Sequence, residues 1–289
     1  MTAALASPSR WTWPPLLRAS VVLHGVLLVL VMVRPSTWPW LLAALVLNHA
    51  VITLAGLWPR ADWLGPNLTR LPAAAIARRE LALTIDDGPD PDLTPAVLDL
   101  LDAAGARATF FCIAERAERH PALVAEIVRR GHSVQNHSLR HRHTFSLLGL
   151  AGYRRELAAA QAVLGRLAGR TPEFFRAPAG LRNPFLDPVL HALGLTLASW
   201  TRRGYDTRER DPQRVLDRLL RDLAPGDILL LHDGHAARTS EGTPVVLAVL
   251  PTLLARLQAA GLRAVTLPEA CRDLPMRRPA QPVPPGPTR

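Results

Sequence analysis

From position 19 to 33 the chain is apolar except for Ser20 and His24, and from 38 to 58 it is apolar again apart from Asn48, His49 and Thr53. The second run has the roughly 20 residues that a helix needs to cross a bilayer. The first reaches that length when 13–17 are added, with Arg18 snorkelling to the interface. Tryptophans at 11, 13, 38, 40, 58 and 63 flank both runs, as an interfacial belt would. The pattern predicts two transmembrane helices, about 13–33 and 38–58. A cleaved signal peptide is the rival reading, but "RPST" after Val33 contains no small-x-small cleavage site and a second apolar run follows. A buried helical hairpin is the soluble alternative.

Beyond residue 80 the pattern changes to short apolar runs that alternate with helical segments. The runs fall at 81–85, 108–113, 132–135, 174–176, 195–200, 227–231 and 263–267, and the helical segments at 94–104, 121–130, 151–168, 184–192, 211–223 and 244–260. Several helical segments have Pro near the first turn, and Gly105, Gly131, Gly169, Gly194 and Gly261 stand just past their ends, the start and stop asymmetry of helices. Strands alternating with helices imply an α/β fold with a parallel sheet and right-handed crossovers. Seven such units suggest closure into a distorted (β/α)7 barrel. In such barrels chemistry collects at the C-terminal ends of the strands. The organisation is therefore read as an N-terminal anchor (1–60), a linker (61–79), a catalytic body (80–270) and a tail (271–289) too rich in Pro to pack and expected to be disordered.

Composition narrows the chemistry. All 34 basic residues are Arg, so neither a Walker-type lysine nor a Schiff-base lysine is available. The net charge of +10 comes from arginines spread along helical faces, with no basic stripe interleaved with aromatics, and nucleic-acid binding is not expected. Cys112 and Cys271 form no CxxC and read as two buried thiols. Arg10 and Arg18 precede the first apolar run, Arg34 alone separates the two, and Arg60, Arg70, Arg78 and Arg79 follow the second. The positive-inside rule then puts both ends, and with them the catalytic body, on the cytoplasmic face of a two-helix membrane protein.

Polar residues gather where strands should end. The first predicted strand runs into Asp86-Asp87, the third into Asn136-His137 with His141 beyond, and the fourth into Arg176. The fifth is followed by Asp206, and the sixth ends at His232-Asp233. His137 and His141 at i and i+4 would share one side of a helical turn, close enough to bind one metal ion. One carboxylate of the Asp86-Asp87 pair would complete a set of two histidines and one carboxylate that leaves open positions for water and substrate. Adjacent residues at a strand end point in different directions, so the other carboxylate is free to face a reacting water. An Asx-type turn before Gly88-Pro89 is the competing account of the pair, and it leaves the histidines unexplained.

"TIDDGP" (84–89), "HSLRH" (137–141), "RAPAG" (176–180), "WTRRGYD" (200–206) and "LLH" (230–232) resemble, in order and spacing, the five motifs of the polysaccharide deacetylases, the NodB-homology domain of carbohydrate esterase family 4. The resemblance covers about 80–267. It implies a distorted (β/α) barrel with fewer than eight strands and a metal-dependent hydrolase. Such an enzyme removes an N-acyl group, acetyl being expected, from an amino sugar in a polysaccharide or a lipid-linked glycan. By the same resemblance Asp86 would be the general base, and Asp87, His137 and His141 would hold a divalent metal, zinc in most of the family. Arg176 would orient Asp86, His232 would be the general acid with Asp206 holding its ring, and Leu230 would line the acyl pocket. A backbone N–H near Ala177 to Ala179 would share the developing charge.

The sequence also departs from the family's pattern. Ile85 stands where the family often has Phe, Arg203 where it often has Asp, and Thr207 where it often has Trp. Arg202 and Arg203 read as contacts to an anionic substrate group, a phosphate or a uronate, or else as a solvated pair. Two other functions compete: a barrel that binds carbohydrate without turnover, and a hydrolase of a linear amide that is not a sugar.

Overall fold

The computed structural model describes residues 10–274 and Arg277; the proline-rich stretch expected to be disordered falls, apart from 271–274, almost wholly outside them. Two helices come first, α1 (Pro15–Val33) and α2 (Trp38–Leu57), joined by a tight turn at Pro35–Thr37. Both are long and apolar enough to cross a membrane. Val22, Leu28, Met32, Leu47 and Leu54 all present more than half of their surface outward, so the pair is not the core hairpin of a soluble domain. The polar exceptions noted in the sequence face one another between the helices. Asn48 Nδ2 donates to Ser20 Oγ at 2.9 Å, and the His24 and His49 rings meet edge to face at 5.3 Å. In a membrane span, polar groups would have to pair with one another in this way.

The body is a curled parallel sheet. Its strands are β1 (Glu80–Asp86), β2 (Ala108–Cys112), β3 (Ser133–Asn136), β4 (Phe174–Phe175), β5 (Thr196–Leu197), β6 (Arg202–Arg203), β7 (Ile228–His232) and β8 (Arg263–Val265). They are ordered β5-β4-β3-β2-β1-β7-β6, with β8 against the lower half of β1, and every pairing is parallel. β1 is buried on both faces along its whole length, as a central parallel strand requires. Helices α4 (Thr94–Ala103), α6 (Pro121–Arg129), α7 (Leu150–Ala168), α9 (Pro212–Leu220) and α10 (Val245–Ala259) supply crossovers, and several pack their apolar stripes into one core with β1, β2 and β7. α8 (Leu186–Ala192) covers a second cluster with Phe145, Tyr153 and Phe175.

Eight strands stand where seven were predicted, and the sheet is a half-barrel, because the predicted 195–200 strand divides. Ala198 leaves β5 to pair with Leu68, and the chain starts again as β6 at Arg202. Asp206 thus follows β6 and not β5. Three short helices, α3 (Ala73–Ala77), α5 (Ala114–Arg119) and α11 (Leu267–Ala270), are too brief for periodicity to reveal. Cys112 and Cys271 are both buried free thiols, and the packed body therefore runs through Cys271.

The stretch read as a linker, 61–79, is instead part of the body, with Leu64, Leu71 and Ala75 buried. It closes the seam that the half-barrel leaves between its edge strands. Leu68 donates to Leu197 O at 2.9 Å on the β5 side, while Leu71 donates to Gly226 O at 2.8 Å and Thr69 O accepts from Thr201 Oγ1 at 2.7 Å on the β6 side. An open sheet edge carries unpaired backbone groups, and this segment satisfies them. Asn67 Nδ2 of the same segment donates to Pro59 O and Ala61 O just past α2, and Arg182 N, from the body, donates to Gly56 O within α2.

Candidate functional site

At the C-terminal end of the strands lies a cleft of about 230 Å³ whose walls include Asp86, Asp87, His137, His141, Ala177, Trp200, Arg203, Leu230 and His232. The β1–β7 register makes Asp86 and His232 direct partners, and one layer below, Thr84 pairs with Leu230 and Leu230 with Arg203. Paired residues of a parallel sheet share a face, so a carboxylate and an imidazole are held side by side above an apolar floor.

Arg176, fully buried behind the cleft, donates through Nη1 to Asp86 Oδ1 at 2.7 Å and to Thr84 Oγ1 at 2.7 Å. Its Nε and Nη2 donate to Ala198 O at 3.1 Å and Ser199 O at 2.7 Å, and its guanidinium lies 4.1 Å from the centre of the Phe111 ring. Only one oxygen of Asp86 is engaged in this way. Its Oδ2 lies 3.8 Å from His137 Nε2.

Asp87 takes a left-handed backbone conformation, φ 77°, directly after the strand ends. Asp tolerates that region better than most residues, and the turn frees its side chain from the strand's alternation. Asp87 Oδ1 lies 3.3 Å from His137 Nε2 and 3.2 Å from His141 Nε2, and the three candidate ligand atoms fall within 4.8 Å of one another. The same oxygen is buried with no hydrogen-bond partner among the described residues. His137 Nδ1 lies 2.8 Å from Arg176 O, which fixes that nitrogen as the donor and leaves Nε2 bare. Burial and the neighbouring His137 hold the His141 imidazole down to about 4, so this ring is neutral at ordinary pH. A bare imidazole pair around an unsatisfied carboxylate oxygen is the donor set of a divalent metal.

The segment 137–141 is not the helical turn expected from the i, i+4 spacing. Ser138 and His141 are both left-handed, at φ 71° and 52°, in a loop pinned by side chains. Asn136 Oδ1 accepts from Ser138 N at 2.8 Å and Ser138 Oγ accepts from His141 N at 2.9 Å. The loop delivers the same convergence by another route, and the two rings sit 4.8 Å apart.

On the other side, His232 Nδ1 lies 2.9 Å from Asp206 Oδ1, and His232 N donates to Asp206 Oδ2 at 2.7 Å. Burial disfavours the imidazolium, yet Asp206, with Asp86 and Asp87 behind it, outweighs burial and raises the ring above its ordinary value.

Of the arginine pair, only Arg203 reaches the cleft. Strand alternation turns Arg202 the other way, where its Nε donates to Asp227 Oδ2 at 2.7 Å and it also bonds Asp222 O, so the expected Arg202 contact to substrate is withdrawn.

Sequence reading missed two residues that brace Asp87. His235 Nδ1 lies 3.4 Å from Asp87 Oδ2, and Arg116 approaches His235 Nε2 at 2.9 Å while donating through Nη1 to Asp87 O at 3.1 Å. His235 stands three residues after His232, a histidine doublet that spacing made visible, whereas Arg116 rides on the unforeseen α5. Asp233 was noted at a strand end without a role. Its Oδ2 accepts from Thr94 Oγ1 at 2.5 Å, and burial pushes its carboxyl up to about 7.

The family model for polysaccharide deacetylase matches residues 74–198, a segment that contains Asp86, Asp87, His137, His141 and Arg176 but ends before Asp206 and His232. A peptidoglycan-N-acetylglucosamine deacetylase of Bacillus cereus is 30% identical over 74% of this chain and 75% of its own length. A chitooligosaccharide deacetylase of Azorhizobium caulinodans is 32% identical over 68% of this chain and 97% of its own. A crystal structure of a peptidoglycan N-acetylglucosamine deacetylase superposes with a TM-score of 0.64 at 27% identity, covering 71% of this chain and 92% of the other.

Replacing Asp206 removes the largest of the charges that raise His232 and leaves the burial that opposes it, with only Asp86 and Asp87 behind. Asp206→Asn is expected to move the His232 pKa below the ordinary histidine value of about 6.5, read by NMR titration of the ring in metal-free protein. An unmoved or raised value would show that Asp206 does not govern this group.

Proposed function

The chain belongs to the polysaccharide deacetylase family, whose members are hydrolases of amide carbon–nitrogen bonds, and from that premise we propose that it is a membrane-anchored, metal-dependent enzyme. Its reaction is removal of an N-acyl group, acetyl first of all, from an amino sugar of a glycan at the bilayer surface. What carries this reading is the convergence of Asp87, His137 and His141 around a buried, unsatisfied carboxylate oxygen, with Asp86 and His232 flanking it in the same cleft.

Asp87, His137 and His141 would hold one divalent ion, zinc by resemblance to the family. When bound, the ion polarises the amide carbonyl and lowers the pKa of a water toward about 7. The chain's own groups do the rest. Arg176 ties down Oδ1 of Asp86, and the free Oδ2 accepts the proton of the attacking water. His232, whose charged form Asp206 favours, returns a proton to the amine as the carbon–nitrogen bond breaks, and acetate leaves. Leu230 offers an apolar floor to the acyl methyl group, and a backbone N–H between Ala177 and Ala179 along the wall would share negative charge.

The anchor favours a lipid-linked glycan over a finished polymer. Pro59, at the foot of α2, forms part of the structure behind the cleft: Ser199 Oγ donates to Pro59 O at 2.6 Å, and a Cβ added to Gly180 would meet Pro59 at 2.6 Å and Trp200 at 2.7 Å. The distribution of arginines supports a cytoplasmic position for the catalytic body, where lipid-linked precursors would be available and wall polymer would not.

Purified full-length protein in detergent should release acetate from an N-acetylglucosamine oligomer, lose that activity to a chelator and regain it with zinc. Binding of the oligomer without acetate release at any metal loading would replace the enzyme with a carbohydrate-binding protein. A C-terminal alkaline phosphatase fusion, active only outside the cytoplasm, should be inactive; full activity would put the cleft on the opposite face.

A further inference from the structure

Among the described residues Arg203 is a cation with no counter-charge. It lies in the cleft on β6, its guanidinium 5.2 Å from the Trp200 ring centre and 5.0 Å from that of Tyr205. Its Nε is buried without a hydrogen-bond partner, and among the described residues no carboxylate pairs with it. The nearby acids are already committed: Asp86 to Arg176, Asp206 to His232, and Asp227 to Arg202 and Arg70. Arg203 also adds its charge to that of buried Arg176, which it disfavours. Arg208, exposed and likewise unpaired among the described residues, lines the same cleft.

Desolvating a guanidinium beside another guanidinium is unfavourable unless an anion arrives. Stacking on aromatic rings fixes the plane of the fork without using its N–H groups, and a planar fork with free donors is the geometry that grips an oxyanion in two places.

We propose that the substrate carries a phosphate ester on the same amino sugar whose N-acyl group is removed, and that Arg203, assisted by Arg208, binds that phosphate. This inference rests on the deacetylase reading and deepens it: a phosphate on the reacting sugar is the chemistry of a lipid-linked glycan and is absent from a neutral polymer. Arg203 then sets specificity through the substrate's charge and takes no part in the proton transfers at Asp86 and His232.

The test uses full-length protein in detergent and two readouts. By calorimetry, glucosamine 1-phosphate should bind at least about tenfold more tightly than glucosamine, a difference that Arg203→Gln reduces to about twofold and that raised salt weakens. Arg208→Gln, on an exposed side chain, should lower the same ratio by about threefold with an unchanged melting temperature. In turnover, N-acetylglucosamine 1-phosphate should exceed neutral di-N-acetylchitobiose in kcat/KM, and Arg203→Gln should shrink that ratio mainly through KM. Equal binding of the two amines by wild-type protein, or a ratio that Arg203→Gln leaves unchanged, overturns the phosphate site. A gain seen with N-acetylmuramic acid and not with the phosphate overturns it too. Acetate release without phosphate preference refutes this inference and spares the deacetylase reading, whereas phosphate-selective binding without acetate release does the reverse.

Discussion

The buried ion pair between Arg176 and Asp86 is the interaction on which the rest of the site depends. One guanidinium engages Thr84 and Asp86 at the end of β1 together with Ala198 O and Ser199 O beyond β5, and the backbone carbonyl of the same residue receives His137 Nδ1. It therefore sets the orientation of a carboxylate and the tautomer of an imidazole at once, while tying together strands that the half-barrel does not otherwise join. Removing one partner of such a pair leaves an uncompensated buried charge, at a cost of about 3–5 kcal/mol. The pair is thus weak as a source of stability and strong as a constraint on geometry: with it formed, Asp86 has one oxygen fixed and one free.

That constraint also explains how two neighbouring aspartates take up different positions. Asp86 is still within β1 and faces the interior, where the guanidinium meets it. Asp87 has left the strand through a left-handed backbone and turns its carboxylate toward the two histidines. Had the strand continued by one residue, alternation would have sent Asp87 to the opposite face.

Much of this was legible in the sequence, and the failures have physical causes. The alternation of apolar runs with Pro-started, Gly-ended helices foretold a parallel α/β body, and the residues at strand ends foretold where polar groups would gather. What periodicity could not show was anything shorter than its own period: β6 has two residues, α3 and α5 have one to two turns, and the run 195–200 breaks because Ala198 finds a partner in Leu68, far away in sequence. The 61–79 stretch looked like a linker because its buried apolar residues, Leu64, Leu71 and Ala75, follow no strand or helix period, and much of its attachment to the seam is through backbone hydrogen bonds. The 137–141 spacing suggested a helical turn, since side-chain pinning by Asn136 and Ser138 leaves no periodic trace. His235 and Arg116 brace Asp87 only because a loop after β7 and a helix after β2 meet in space.

The central claim is that Asp86 and Asp87, adjacent in sequence, divide the work of proton acceptance and metal binding. The most direct measurement is zinc content and acetate release determined side by side on Asp86→Asn and Asp87→Asn protein, both exchanged into zinc and freed of excess. The account predicts that Asp86→Asn keeps about one zinc per chain while its turnover falls by about a thousandfold, and that Asp87→Asn loses both together. Zinc lost from Asp86→Asn and kept by Asp87→Asn would contradict it.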